Sequence, residues 1–109
     1  MIEVIYEVDE HRVTAKGHAG AAEAGKDLVC AAASILLYTL ASDVTALCKG
    51  SPEYYTEPVT IMHPGDVEIS VKGTDDDADE TLTMVIDCVV GGFKLLSEQY
   101  PDNIRYTVV

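Results

Sequence analysis

The order of patterns along the chain predicts an α+β fold, a two-layer α/β sandwich with two helices packed on one sheet in the order β-β-α-β-β-α-β. Two observations carry this expectation. Short segments with period-two alternation mark the strands, and two longer segments, each opened by an aspartate and closed by a proline-bearing turn, separate them. The length of 109 residues suits a single domain spanning 1–109. An apolar share of 48% suits one buried core.

The first strand reads directly. Ile2, Val4, Tyr6 and Val8 point one way while Glu3, Ile5 and Glu7 point the other. Asp9-Glu10 makes a turn, and a second strand over 11–17 returns with Val13 and Ala15 inward. Residues 17–26, GHAGAAEAGK, contain Gly17, Gly20 and Gly25 and predict a mobile loop. A helix is expected from Asp27, a good N-cap, to about Cys48, with Gly50 and Pro52 closing it. Its centre, CAAASILLYTLA, is apolar on nearly every face, which predicts burial all round, under a sheet or in a homodimer interface.

Two strands, about 54–62 and 67–72, flank the turn His63-Pro64-Gly65-Asp66. The acidic run from Asp75 to Glu80 suits a helix N-terminus, where the macrodipole favours carboxylates. The helix that follows, about 77–99, places Leu82, Val85, Ile86, Val89, Phe93 and Leu96 on one stripe. Gly91-Gly92 is a weak point within it, costing about 1 kcal/mol per glycine relative to alanine. Tyr100-Pro101-Asp102-Asn103 stops it, and the last residues alternate as a strand.

Composition narrows the function. A formal charge of −12 disfavours nucleic acid as a partner; it serves solubility or attracts a cationic protein. No apolar stretch reaches the roughly 18 residues needed to span a bilayer, and the acidic start lacks the basic region of a signal peptide, so a cytoplasmic protein with no membrane partner is expected. Cys30, Cys48 and Cys88 are odd in number, widely spaced and without a CxxC pair, and are expected as thiols. The histidines His11, His18 and His63 are scattered too, so neither a metal site nor a cofactor is expected.

Position separates the three cysteines. Cys30 lies in the opening turn of the first helix, where unpaired N–H groups and the positive dipole end favour a thiolate. Cys48 sits at the opposite end, and Cys88 reads as packing within the second helix. His18 precedes Cys30 across the glycine loop and could act as its base, while Asp27 could orient the imidazole or only cap the helix. Ser34, one turn after Cys30, could line the same site. Backbone N–H groups at the helix start could serve a developing oxyanion. Plain packing for Cys30 and a surface place for His18 stay open on spacing alone, and His11 and His63 read as turn residues.

The pair of segments GHAG at 17–20 and GKDLVCAAAS at 25–34 resembles the signature of the ribosomal-processing cysteine proteases called Prp. That signature joins a GHA segment to D-x-x-C-A-x-x-S, and the ending EQYPDNIRY is similar as well. The resemblance implies a homodimeric endopeptidase that removes an N-terminal extension from ribosomal large-subunit protein L-twenty-seven during ribosome assembly. It implies His18 as base and Cys30 as nucleophile, with Gly17, Asp27 and Ser34 on supporting positions. It also implies that the loop 19–26 folds over the bound peptide, here with Ala21-Ala22 and no aromatic residue. The alternative is a non-enzymatic acidic dimer that binds a basic ribosomal protein without cutting it. A cysteine hydrolase of thioesters or small acyl groups is a third reading, by analogy of fold alone.

Overall fold

In the computed structural model, residues 1–20, 22 and 27–109 are described. Their elements are β1 (Ile2–Glu7), β2 (Arg12–Lys16), α1 (Leu28–Gly50), β3 (Val59–His63), β4 (Asp66–Ser70), α2 (Asp76–Gln99) and β5 (Ile104–Val108). This is the expected α+β order. The strands form one sheet in the order β3-β4-β2-β1-β5, with β1 parallel to β5 and every other pair antiparallel. β1 and β2 pair Glu3 with Lys16 through to Glu7 with Arg12, which sends Ile2, Val4, Tyr6, Val13 and Ala15 to one buried face.

Both helices cover that face, α1 nearer β4 and α2 nearer β5. Leu40, Leu82 and Phe93 are fully enclosed between the layers, each contributing about 1.5–3 kcal/mol. The opposite face is polar. Arg12 reaches Glu7 at 2.8 Å and Arg105 reaches Glu3 at 3.6 Å across it.

Within one chain the sheet buries only one side of α1: Val29, Ala33, Leu37, Leu40, Val44 and Cys48 form one buried stripe, while Leu28 (81%), Ile35 (63%) and Tyr38 (60%) stand exposed on the side expected at a subunit interface. A single sheet can cover only one side of a helix. Several expectations need correction. The expectation that no segment is apolar enough to span a bilayer fails: α1, at 23 residues, qualifies by length and composition. Ser and Thr interrupt its apolar runs without lowering its hydropathy enough, and the stripe packed into the core is what a core helix shows.

The third strand begins at Val59, not Tyr54. Pro58 lacks an N–H and restricts the residue before it, so 54–57 cannot pair continuously; Tyr55 makes only an isolated bridge to Gly73. Helix α2 runs unbroken through Gly91-Gly92. Gly92 is where α1 comes close, since a methyl there would stand 2.6 Å from Leu36 Cδ2. Asp75 caps α2 by accepting from the Ala78 N–H at 2.8 Å, and Asp76, Asp77 and Asp79 fill its first turn. Cys88, expected as packing, is exposed, because its position falls on the outer side of α2.

His11 does lie in the β1–β2 turn, at φ 46, yet it is buried at 7% exposure. Its Nε2 lies 3.0 Å from the Thr83 hydroxyl, whose own proton goes to the Asp79 carbonyl. The turn is thereby fastened to α2.

Candidate active site

Three chain segments meet where β2 ends, α1 begins and the β3–β4 hairpin turns. Gly17 opens the first segment with φ 93, a conformation that costs other residues about 1–2 kcal/mol. Space excludes a side chain there as well, because a methyl would lie 2.3 Å from the Met1 carbonyl oxygen. The Gly17 N–H donates to the Gly65 carbonyl at 3.0 Å, tying the strand end to the hairpin turn. His18 follows, exposed, with its ring against Gly65; a methyl at Gly65 would stand 2.8 Å from His18 Nε2. Gly65 itself has φ 73 and follows Pro64, the arrangement of a type II turn.

Ala19 anchors the segment. Its side chain is buried, its carbonyl accepts from Asn103 Nδ2 at 3.1 Å, and its N–H points at Cys30 Sγ across 3.4 Å. Asn103 in turn accepts the Ile2 N–H at 2.9 Å, so the same asparagine joins β1, the β5 approach and the residue after His18. Sequence reasoning missed it, since nothing in a turn motif signals a contact 84 residues away.

Asp27 is the N-cap of α1, as expected: its Oδ1 accepts the Cys30 N–H at 3.0 Å, and its carbonyl accepts the Ala31 N–H at 3.1 Å. The Cys30 and Ala31 N–H groups are thus bonded to Asp27, and the Ala19 N–H is the one aimed at the sulfur.

His18, Cys30 and Ser34 line one cleft of about 290 Å³. Tyr38 and Met62 form another part of its wall, with His63 and Asp66 from the hairpin. Gly17 lines it too, so of the five residues singled out by sequence four border the cleft and Asp27 holds the helix start beneath it. His63, read from sequence as a turn residue, ends β3 and borders the cleft. Asp66 bonds Lys16 beside it, and that ammonium holds the Asp66 carboxyl below its usual value, first through the hydrogen bond and then through charge. Residues 21 and 23–26 of the loop expected over the site lie outside the described residues.

The other cysteines stand apart. Burial, and after it the Glu57 carboxylate, pushes the Cys48 thiol up. Among the described residues no group of three or more His, Cys, Asp or Glu could hold a metal ion. What the cleft offers is a half-buried thiol on the opening turn of a helix, an N–H beside it and an imidazole lining the same cavity.

Chain-wide similarity agrees with that chemistry, and the protein is a cysteine protease. Residues 1–105 match the family described as cysteine protease Prp, and the chain belongs to that family. It is similar in structure to the essential ribosomal processing protease Prp of S. aureus in complex with a covalently linked product peptide, at 25% identity and TM-score 0.78, with 100% of both chains covered. The same S. aureus protease with a substrate peptide gives 23% identity and TM-score 0.71, again over 100% of both chains. A Streptococcus mutans protein gives 23% and 0.68, over 99% of this chain and 91% of that one. No curated protein matches the chain.

Proposed function

We propose that this protein is a ribosomal-processing endopeptidase that removes the N-terminal extension of large-subunit protein L-twenty-seven, with Cys30 as nucleophile and His18 as general base. The observation that carries the assignment is the shared cleft: Cys30 on the first turn of α1 and His18 just beyond β2 border the same cavity. His18 takes the thiol proton, and the thiolate attacks the scissile carbonyl. As the C–N bond breaks, His18 returns the proton to the leaving amine; water then hydrolyses the acyl-enzyme. The Ala19 N–H, 3.4 Å from the sulfur, is the donor at hand for the developing oxyanion. Gly17 allows the turn that delivers His18, Asp27 fixes the helix start, and Ser34 borders the bound peptide.

The S. aureus relative, a ribosomal processing protease caught with a covalently linked product peptide, supports this substrate class. So does the charge of −12, which would draw a basic ribosomal protein. The proposed place of action is the cytoplasm, where ribosomes assemble. A homodimer through the outer face of α1 is part of the same proposal: Leu28 and Ile35, seven positions apart on one helix face, are large, apolar and exposed. Light scattering reads that state directly.

The experiment mixes the protein with the extended L-twenty-seven protein of the same genome and follows intact mass. Wild type should produce one clean N-terminal cut, and Cys30→Ala and His18→Ala none. Binding without any cut by the wild type would transfer the assignment to a non-enzymatic assembly factor.

A further inference from the structure

β3 is an edge of the sheet, paired with β4 and with no other strand among the described residues. Register decides which of its peptide groups face the open side. The two-residue turn Pro64-Gly65 is closed by His63 opposite Asp66, and along an antiparallel ladder hydrogen-bonded pairs alternate with pairs that exchange no bonds. His63, Ile61 and Val59 therefore bond to β4, while the N–H and C=O groups of Met62 and Thr60 point to the open edge. Met62 stands opposite Val67 and Thr60 opposite Ile69, both buried partners, so these two side chains lie on the helix-facing side.

That side is left partly uncovered. A groove runs between β3 and the flank of α1, bordered by Tyr38, Ser42, Thr45 and Lys49 on the helix and by Thr60 and Met62 on the strand. Tyr38 and Met62 also border the cleft that holds Cys30 and His18. Groove and cleft meet at these two side chains.

We infer that the groove receives the substrate peptide as an added strand, extending from the Cys30 cleft along the β3 edge. This rests on the proposed protease reading and specifies how its substrate is held. The open edge offers backbone donors and acceptors, which bind a peptide irrespective of its side chains. Alternate residues of the added strand then point between β3 and α1. The end beside Tyr38 and Met62 suits an apolar side chain, and the end beside Ser42, Thr45 and Lys49 a polar one. The five residues of β3, at about 3.3 Å each, give room for about five substrate residues. Pro58 and Pro64, which lack N–H groups, bound this pairing zone at its two ends.

The test uses Cys30→Ala protein, which holds the peptide uncut. A synthetic peptide spanning the L-twenty-seven extension and its scissile bond is titrated, then the same peptide carrying one backbone N-methyl group at each position in turn. Affinity should fall about tenfold at alternate positions and little at those between, since each lost bond acts on every second residue. Hydrogen exchange at the Thr60 and Met62 amides should slow on binding. Thr60→Pro removes an edge N–H without removing a bond to β4, and should lower kcat/KM about tenfold with the fold retained.

A flat N-methyl profile, no binding, or binding without protection at Thr60 and Met62 would overturn the inference. Protection that rises with protein concentration in the absence of peptide would overturn it in favour of edge pairing with a second copy. Cleavage of the unmodified peptide by wild type is read separately. Cleavage with a flat profile leaves the protease standing and removes the groove; an alternating profile without cleavage supports the groove and removes the proposed reaction.

Discussion

The Ala19 N–H points at Cys30 Sγ across 3.4 Å, and this one contact joins the segment after β2 that carries His18 to the helix that carries the thiol. It ties the two halves of the GHA…D-x-x-C signature together in space. Its consequence is a thiol with a backbone donor beside it, in a chain whose other cysteines have different surroundings.

Alkylation separates exposure from activation. Cys88 is exposed, Cys30 half-buried and Cys48 buried with its thiol pushed up. Access alone would rank Cys88 first. If Cys30 is the nucleophile, iodoacetamide at neutral pH should label it before Cys88, with Cys48 last, as peptide mapping of the folded protein would read. Labelling in order of exposure would count against the assignment.

Gly65 supports the imidazole by having no side chain. Gly65→Ala puts a methyl 2.8 Å from His18 Nε2 and places alanine at φ 73. Turnover should fall roughly a hundredfold as the ring is displaced, within the range general-base catalysis provides. Stability should fall by only about 1–2 kcal/mol from the backbone. A kcat unchanged beside a lowered melting temperature would show that His18 does not depend on this contact.

The two adjacent glycines of α2 should respond in opposite directions. Gly91 faces open space, so Gly91→Ala should stabilise by up to about 1 kcal/mol through helix propensity. Gly92→Ala places its methyl 2.6 Å from Leu36, and overpacking of about 1–3 kcal/mol should exceed the same propensity gain. Urea unfolding of the two variants reads the contrast.

Tyr6 makes the fold sensitive to alkali. Burial first, and then the Asp87 carboxylate through its charge and its hydrogen bond, pushes its hydroxyl up to about 12. The unfolded phenol titrates near its ordinary 10.0. The folded value is the higher one, so this contribution is complete below pH 10.0 and is lost as pH rises towards about 12. Tyr6→Phe should flatten that part of the stability curve. An unchanged alkaline slope in the variant would assign the effect to other groups.

Much of this protein was legible in one dimension. Alternation in β1 and β2, Asp27 and Asp75 as caps, and the Pro64-Gly65 turn follow from local chemistry that each residue carries wherever it stands. The signature residues could be named for the same reason. Boundaries failed where a distant neighbour or a neighbouring proline intervened: Pro58 shortened β3, and Leu36 gave a reason for Gly92 that helix propensity alone would reject.

Element order, charge and the identity of the histidine and cysteine on which the proposal rests can be read from the chain alone. Packing in three dimensions sets that Asn103 reaches Ala19, that His63 and Met62 border the cleft, and that the outer face of α1 is exposed. Such facts depend on which residues distant in sequence a sheet register and a helix packing bring together. Periodicity shows that a side chain faces a core or solvent; the packed layers alone decide what it meets there.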